Sequence, residues 1–178
     1  MIPGLEVTST ATLSDDGRYR YLLTRQWGQE PPLTFVMLNP STADAEQDDP
    51  TIRRCIGFAQ RDGFGGIVVV NLFAYRATDP RELLAADDPI GPDNDATLVA
   101  LVGASGQTVA AWGAPGGEYG RERAKFVHSI ATRRPLASLG TTLHGHPRHP
   151  LYVRGDQPIL PLEVMPLSRS SASPPRAC

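Results

Sequence analysis

The sequence is poor in cysteine and has no long apolar segment. Its two cysteines, Cys55 and Cys178, are far apart and show no metal-type spacing. Cys55 falls on the apolar face of a predicted helix, as expected of a core thiol. No apolar run approaches the roughly 20 residues that span a bilayer, so no membrane partner is expected. The first residues also lack a basic region followed by an apolar one, which predicts a cytoplasmic protein without a secretory signal.

The sequence also has little net charge, because 17 lysines and arginines oppose 19 aspartates and glutamates. A net charge of -2 creates no overall field that attracts nucleic acid, and it favours a small or single-nucleotide ligand. The sequence contains no G-x-S-x-G, Walker or G-x-G-x-x-G motif. Neither a serine-hydrolase elbow nor a P-loop or dinucleotide site is therefore predicted, and we expect no cofactor.

The residues that are present have the composition of one folded domain, with 178 residues, 40% hydrophobic and 20% charged. Apolar, β-branched runs typical of buried parallel strands alternate with segments of helical periodicity. The strands are predicted at 33–38, 67–71, 108–113 and 136–141, and the helices at 50–62, 79–84, 93–102 and 118–131. This alternation predicts a three-layer α/β/α fold, in which helices cover both faces of a mainly parallel sheet.

Two further segments flank this α/β core. Residues 7–13 and 19–27 enclose the turn sequence Ser14-Asp15-Asp16-Gly17, which predicts an N-terminal β-hairpin. Proline, serine and arginine dominate near the C-terminus. We therefore predict a single domain over residues 1–154 and a disordered tail over residues 155–178.

The loop after the first central strand leads directly into a well-marked helix. Asp49 precedes Pro50, and Gly63 comes just past the predicted end. Aspartate is a favoured N-cap, and proline is favoured at the first helical position. Asp48 and Asp49 are therefore interpreted as a helix start in preference to a catalytic carboxylate pair.

Clusters of polar residues follow the predicted central strands, at the points where the strands end. The clusters are residues 39–44, Asn71 with Tyr75 and Arg76, Trp112-Gly113, and residues 142–150. Ligands of open α/β sheets bind beyond the carboxyl ends of the strands, so these clusters predict one shared polar pocket. A buried amide needs several partners, which favours Asn71 as a pocket residue over a satisfied core amide. Trp112 either floors that pocket or packs against a neighbouring helix.

Several of these segments resemble a family known in bacteria and phages as domain of unknown function 1643. The likeness covers residues 12–153, and the family name by itself supplies no activity. The segments that carry the resemblance are Leu38-Asn39-Pro40-Ser41-Thr42-Ala43-Asp44, Asp49-Pro50-Thr51-Ile52, Asn71-Leu72-Phe73-Ala74-Tyr75-Arg76-Ala77-Thr78, Ala111-Trp112-Gly113 and Pro147-Arg148-His149-Pro150-Leu151-Tyr152.

The order of these motifs is similar to that of the uracil-DNA glycosylase superfamily, a more distant resemblance. Leu38-Asn39-Pro40-Ser41 resembles the loop that positions the attacking water, and Val69-Val70-Asn71 resembles the strand end that reads the flipped base. His149-Pro150, or less closely His146-Pro147, resembles the late loop that supplies a histidine to the departing base. This chain has Met37 where the first motif usually has glycine, and no wedge loop is recognisable.

The resemblance implies a uracil-DNA-glycosylase-like fold and cleavage of an N-glycosidic bond, in DNA or in a nucleoside. Its partner would be a nucleobase, a nucleotide or a flipped DNA base. The implied catalytic residues are Asn39, which orients a water, Asp44, the nearest carboxylate able to act as a stronger base, and His149, which stabilises the leaving base.

The implied substrate-binding residues are Ser41, Asn71, Phe73, Tyr75, Arg76, Trp112 and His146. Asn71 would read a base edge through its acceptor and its two donor hydrogens. Phe73 or Tyr75 would stack on that base, and Arg76 would hold a phosphate.

The same residues also have plainer interpretations. Residues 39–42 are of types that favour turns and side-chain-to-backbone bonds. His144, His146 and His149 suggest a metal site, but no helix stacks them and no thiol or carboxylate partner is in place, so we expect no metal. The alternative function is a non-catalytic nucleotide-binding sensor or accessory protein, and a third is a hydrolase for an unrelated small molecule. The oligomeric state is left open.

Overall fold

A seven-stranded sheet runs through the computed structural model, which describes residues 7–41, 43–104, 106–131 and 134–162. The strands of this sheet are β1 (Thr8–Leu13), β2 (Arg20–Gln26), β3 (Pro32–Met37), β4 (Gly66–Asn71), β5 (Thr108–Ala110), β6 (Ala137–Ser138) and β7 (Leu160–Pro161). Their order across the sheet is β1-β2-β4-β3-β5-β6-β7.

The four central strands, β4, β3, β5 and β6, are parallel to one another, whereas β1, β2 and β7 are antiparallel to their neighbours. Parallel neighbours need long crossovers, and the segments of helical periodicity supply them. The predicted N-terminal hairpin is confirmed, and it joins the main sheet because β2 pairs with β4 at Leu23 and Val69.

The described ranges contain four α-helices, close to the predicted positions. These helices are α1 (Pro50–Arg61), α2 (Pro80–Ala85), α3 (Asn94–Ala104) and α4 (Gly117–Ile130). The Asp49 side chain accepts the Ile52 backbone N–H at 2.8 Å, which confirms the predicted N-cap. Among the helices that the structure describes, none is both long and apolar enough to cross a lipid bilayer.

Successive residues of the central strands face opposite sides of the sheet and build two apolar cores. Phe35 of β3 packs in a core with Cys55 of α1, whereas the next residue, Val36, packs with Leu98 of α3 and Val127 of α4. Helices thus cover both faces, as the α/β prediction requires. Cys55 is fully buried, and that burial raises the pKa of its thiol, as expected of an unreactive core group.

The C-terminal part of the domain differs from the prediction. Ordered structure continues beyond residue 154, because β7 pairs with β6 and Arg61 of α1 donates hydrogen bonds of 2.8 Å to the carbonyls of Gly155 and Gln157. The predicted disordered tail therefore begins too early. The remainder of that predicted tail, residues 163–178, lies outside the described residues.

Candidate functional site

A cleft of about 590 Å³ lies where β3, β4 and β5 end. Its wall includes Asn71, the last residue of β4, together with Asn39 and Trp112, which lie just beyond β3 and β5, and His149 from the loop after β6. Ser41 and the N-terminal residues of α1 complete the same wall. Because parallel strands carry their carboxyl ends to one edge, residues far apart in the sequence meet there.

Backbone hydrogen bonds hold the loops after β3 and β4 together beyond the sheet. Leu72 N–H donates to the Met37 carbonyl at 2.8 Å, and Phe73 N–H donates to the Leu38 carbonyl at 3.0 Å. Asn39 Nδ2 continues this pairing by donating to the carbonyl of Ala77 at 2.7 Å. The Asn39 amide nitrogen therefore stabilises the floor of the cleft, and among the described residues no group donates to its Oδ1, which can bind a ligand or water.

Asn71 is the most unusual residue of the cleft. Its side chain is only 1% exposed, yet neither Nδ2 nor Oδ1 has a hydrogen-bond partner in the described protein. A buried amide left unpaired costs about 1–3 kcal/mol per group, so such groups are rare unless they serve a ligand. The Asn71 amide is therefore the strongest candidate for a ligand-binding group among the described residues of the cleft.

The backbone that presents Asn71 is fixed from behind by two buried polar residues. Asn94, at the start of α3, donates from Nδ2 to the carbonyls of Asn71 and Leu72, at 3.2 and 3.1 Å. Arg123 of α4 donates from Nε to the Leu72 carbonyl at 3.0 Å, and it forms an ion pair of 2.6 Å with Asp95. Arg123 is only 6% exposed.

His149 is half-buried beside the ring of Tyr152, with the ring centroids 5.5 Å apart. The Leu151 backbone N–H donates to His149 Nδ1 at 3.3 Å, so the ring proton of the neutral imidazole resides on Nε2. Burial lowers the pKa of His149, which favours this neutral form. A neutral ring with a protonated Nε2 is a hydrogen-bond donor to a ligand.

Arg54 of α1 holds the segment that carries His149 against the helix. Its guanidinium donates to the carbonyl of Pro150 from Nε at 3.4 Å and to the carbonyl of Val153 from Nη2. Arg54 is half-buried. In the structure it ties α1 to the short 3₁₀ helix Pro150–Tyr152 that follows His149.

A family comparison covers most of the chain, including nearly every residue of the cleft. The family model of DUF1643, described as a protein of unknown function, matches residues 20–151. The chain belongs to DUF1643. No curated protein and no solved structure matches it. Membership in DUF1643 thus confirms the first resemblance, whereas the resemblance to uracil-DNA glycosylases stays a prediction.

The carboxylate that lines the cleft of this DUF1643 protein is Asp49, and not the predicted Asp44. Asp44 lies outside the cleft, because its Oδ1 accepts the backbone N–H groups of Glu46 and Gln47 at 2.8 and 2.9 Å. These hydrogen bonds lower the pKa of Asp44, and the bond from Gln47 has the larger effect. Asp49 lines the cleft instead, next to the start of α1. The carboxylate available for chemistry is therefore the helix cap itself.

Four other predicted binding residues of the DUF1643 domain do not line this cleft. Phe73 packs against Tyr119 with ring centroids 5.4 Å apart, and Tyr75 packs edge-on against Tyr19 at 5.9 Å. Arg76 donates to the Gly17 carbonyl at 3.2 Å. Sequence adjacency to Asn71 does not specify side-chain direction, and tertiary packing turns these side chains away.

His146, the fourth of these residues, lines a smaller cavity of about 210 Å³ beside α4. Trp112 borders both cavities and is only 3% exposed, with its ring 5.9 Å from that of His128. It therefore both lines the cleft and packs against a helix. Within the described ranges, no group of three or more His, Cys, Asp or Glu side chains is arranged to hold a metal ion.

Arg20 and Arg148 line the cleft of this DUF1643 protein, although the sequence does not single them out. Arg20 begins β2 and is only 3% exposed. An arginine directly before the apolar residues Tyr21, Leu22 and Leu23 of this strand is the available signal, since charged residues are seldom fully buried without a partner. Arg148 is adjacent to His149, but its direction depends on the fold of the loop.

The first prediction concerns Arg54. We expect Arg54→Ala to lower the free energy of unfolding by about 1–3 kcal/mol, because two hydrogen bonds from a charged donor are lost. Urea denaturation measures this loss, and amide exchange should show faster opening of residues 149–153. Arg53→Ala, an exposed change on the same helix, is the control and should cost about 0.5 kcal/mol or less. Equal effects of the two changes would contradict a specific role of Arg54 in holding residues 149–153 against α1.

The second prediction concerns pH and His149. The folded-state pKa of His149 lies below the ordinary value of about 6.5. The neutral ring therefore makes its full contribution to the free energy of unfolding when the pH is above about 6.5. The contribution is lost as the pH falls through the depressed pKa. Urea denaturation between pH 5 and pH 8 should show a smaller decline for His149→Gln than for the wild type. His128, whose pKa burial also lowers, is retained in both proteins. Parallel curves would contradict the prediction.

Proposed function

We propose that this DUF1643 protein binds a nucleobase in its cleft and hydrolyses an N-glycosidic bond of a nucleotide, a nucleoside or DNA. The observation that carries the proposal is the Asn71 amide, which is buried in the cleft and has neither polar atom paired with any described residue. Nucleobase edges offer neighbouring donors and acceptors, and a side-chain amide matches them with two parallel hydrogen bonds. The cleft volume of about 590 Å³ falls within the range of about 300–1,000 Å³ usual for ligand pockets.

The proposal extends to the arrangement of the fold, which we infer to be uracil-DNA-glycosylase-like. Four parallel central strands, helices on both faces and a ligand cleft at the carboxyl ends support this inference. Fold likeness alone does not establish an activity, so the argument for function depends on the cleft residues.

Cleavage of an N-glycosidic bond leaves negative charge on the base and oxocarbenium character on the sugar. His149 supplies a neutral Nε2–H that can donate to the departing base and stabilise its charge. A half-buried site strengthens that hydrogen bond because water does not compete fully. In this scheme Asn71 holds the base while His149 stabilises it as it leaves.

The attacking water requires a proton acceptor. Asn39 Oδ1 can orient a water, but an amide is a poor base. Asp49 is the one carboxylate among the described residues of the cleft wall, and we assign it as the general base. The water oxygen bonds to the anomeric carbon as the bond to the base breaks, and one water proton passes to Asp49.

The alternative is a non-catalytic nucleotide-binding sensor. It is favoured by the double use of the candidate water-handling groups, since the Asn39 amide nitrogen and Asp49 Oδ1 both hold the fold. A ligand that raises the melting temperature without being cleaved would support this alternative.

The test is to incubate the purified protein with DNA containing uracil, hypoxanthine or xanthine, and with free nucleosides and nucleotides. Released base is measured by chromatography, and binding is measured by thermal shift. The proposal predicts release from at least one substrate, and that release should disappear in Asn39→Ala. No release and no thermal shift with any of these compounds would overturn both the catalytic and the binding forms.

A further inference from the structure

Arg20 is a buried cation that pairs with no carboxylate in the described part of the chain. Its guanidinium donates from Nη1 to the Ala43 carbonyl, while Nε is buried and has no hydrogen-bond partner in the described protein. Its neighbour along β2, Arg25, is equally buried but forms an ion pair of 2.8 Å with Asp48. The described residues form no such ion pair with Arg20.

An unpaired buried charge is costly, because water no longer solvates it. Burial lowers the pKa of Arg20 to about 10, and the nearby charge of Asp49 opposes this decrease. The side chain is therefore still a cation at neutral pH. An anionic group bound in the cleft would supply the partner that the folded chain does not provide.

Two other features of the same cleft favour an anion. Arg148 lines the cleft, and its Nε donates to the Thr141 carbonyl at 3.0 Å, which leaves its terminal nitrogens available to a ligand. The first turn of the twelve-residue helix α1 reaches the cleft through Thr51, and helix N-termini attract anions. Asp49 opposes an anion, but its Oδ1 already accepts the Ile52 N–H.

We propose that Arg20 and Arg148 form a phosphate subsite next to Asn71, so that the ligand is a phosphorylated nucleotide. The planar guanidinium matches phosphate oxygens with parallel hydrogen bonds, which a compact ammonium cannot do. The identification of the ligand as a nucleotide rests on the proposed function. The phosphate subsite itself rests on Arg20, Arg148 and the first turn of α1.

Phosphate in this cleft could belong to a free nucleotide or to a nucleic-acid strand. The acidic net charge of -2 provides no overall attraction to a long polyanion. We therefore commit to a nucleoside monophosphate as the ligand. A strand is an outcome that the experiment distinguishes.

The experiment is isothermal titration of the full chain with inorganic phosphate, with uridine and inosine, and with their 5′-monophosphates. At least one monophosphate should bind about 10-fold or more tightly than its nucleoside, as expected of charge-assisted hydrogen bonds. Arg20→Gln should remove this advantage while retaining nucleoside binding, and Arg20→Lys should restore part of it. Arg25→Gln is the control and should retain the full advantage, because Arg25 does not line the cleft.

Each result decides between the proposals. Equal affinity for nucleoside and monophosphate, with no saturable binding of inorganic phosphate, would overturn the phosphate subsite and leave the proposed function standing. Binding of phosphate without any nucleoside would support the subsite and overturn base recognition. Tighter binding of a single-stranded oligonucleotide than of either monophosphate would assign the phosphate to a strand. If Arg20→Gln does not fold, Arg148→Gln, an exposed change, should still reduce the monophosphate advantage severalfold.

Discussion

Replacing Asn71 with leucine is expected to abolish ligand binding and to leave the folded protein at least as stable as the wild type. Leucine has nearly the same size and removes two buried polar atoms that lack partners. Removing an unpaired polar group recovers a desolvation cost of about 1–3 kcal/mol. Binding of any nucleobase should fall by about 100-fold or more, because the two hydrogen bonds to the base edge are lost. Urea denaturation and calorimetric titration measure the two effects.

The matched control is the same chemical change at the other buried asparagine of this region. Asn94→Leu removes the two hydrogen bonds to the Asn71 and Leu72 carbonyls together with the unpaired Oδ1, so it should lower the free energy of unfolding by a net amount of about 1–2 kcal/mol. The two asparagines are equally inaccessible to water, yet the changes should have opposite effects on stability. If Asn71→Leu destabilises the fold as much as Asn94→Leu, Asn71 has a structural role and the proposed base recognition fails.

Asp49→Asn is expected to reduce turnover of the cleaved substrate by about 100-fold or more, with little change in stability. Asparagine caps a helix about as well as aspartate does, so the hydrogen bond to Ile52 is retained. An amide cannot accept the water proton, and general-base catalysis contributes about 10²–10⁴ in rate. Asp49→Ala should lose the same turnover and also about 1 kcal/mol of stability. Steady-state kinetics and urea denaturation separate the two functions of this residue.

Asp44→Asn tests which of the two carboxylates, Asp44 or Asp49, is the general base. Asp44 is the base that the sequence favours, but its carboxylate accepts backbone N–H groups in a turn outside the cleft. Its replacement should therefore leave turnover close to that of the wild type. A loss of turnover in Asp44→Asn, with normal turnover in Asp49→Asn, would reverse the assignment.

Under the proposed function, stability and ligand binding are opposed at Asn71. The unpaired amide destabilises the free protein, and a bound base would provide the missing partners. Asn94 and Arg123 hold the backbone of this strand end in place through buried hydrogen bonds. The strand end therefore keeps its geometry when no ligand is bound, and a ligand meets a preorganised amide.

Much of the fold is predictable from local patterns. The Asp49-Pro50 sequence marks the start of α1, because capping depends on residues three positions apart. The apolar runs 33–38 and 67–71 become β3 and β4, since strands buried on both faces need continuous apolar residues. Asn39 and Asn71 then lie near each other because both follow parallel neighbouring strands.

Other parts of the site depend on packing between distant segments. Arg20 reaches the cleft only because β2 pairs with β4, the strand that ends in Asn71. Arg54 can donate to the Pro150 and Val153 carbonyls only when the loop after β6 folds back onto α1. Neither arrangement has a signature within one segment of sequence.

The sequence alone determines the α/β class, the hairpin, the helix starts and the two asparagines at strand ends, because each depends on local periodicity or local hydrogen bonds. The tertiary structure decides which side chains face the cleft. It brings in Asp49 and Arg20, and it turns Asp44 and Tyr75 away. Side-chain direction beyond a strand end depends on long-range hydrogen bonds and packing, and these exist only after the separate segments have come together.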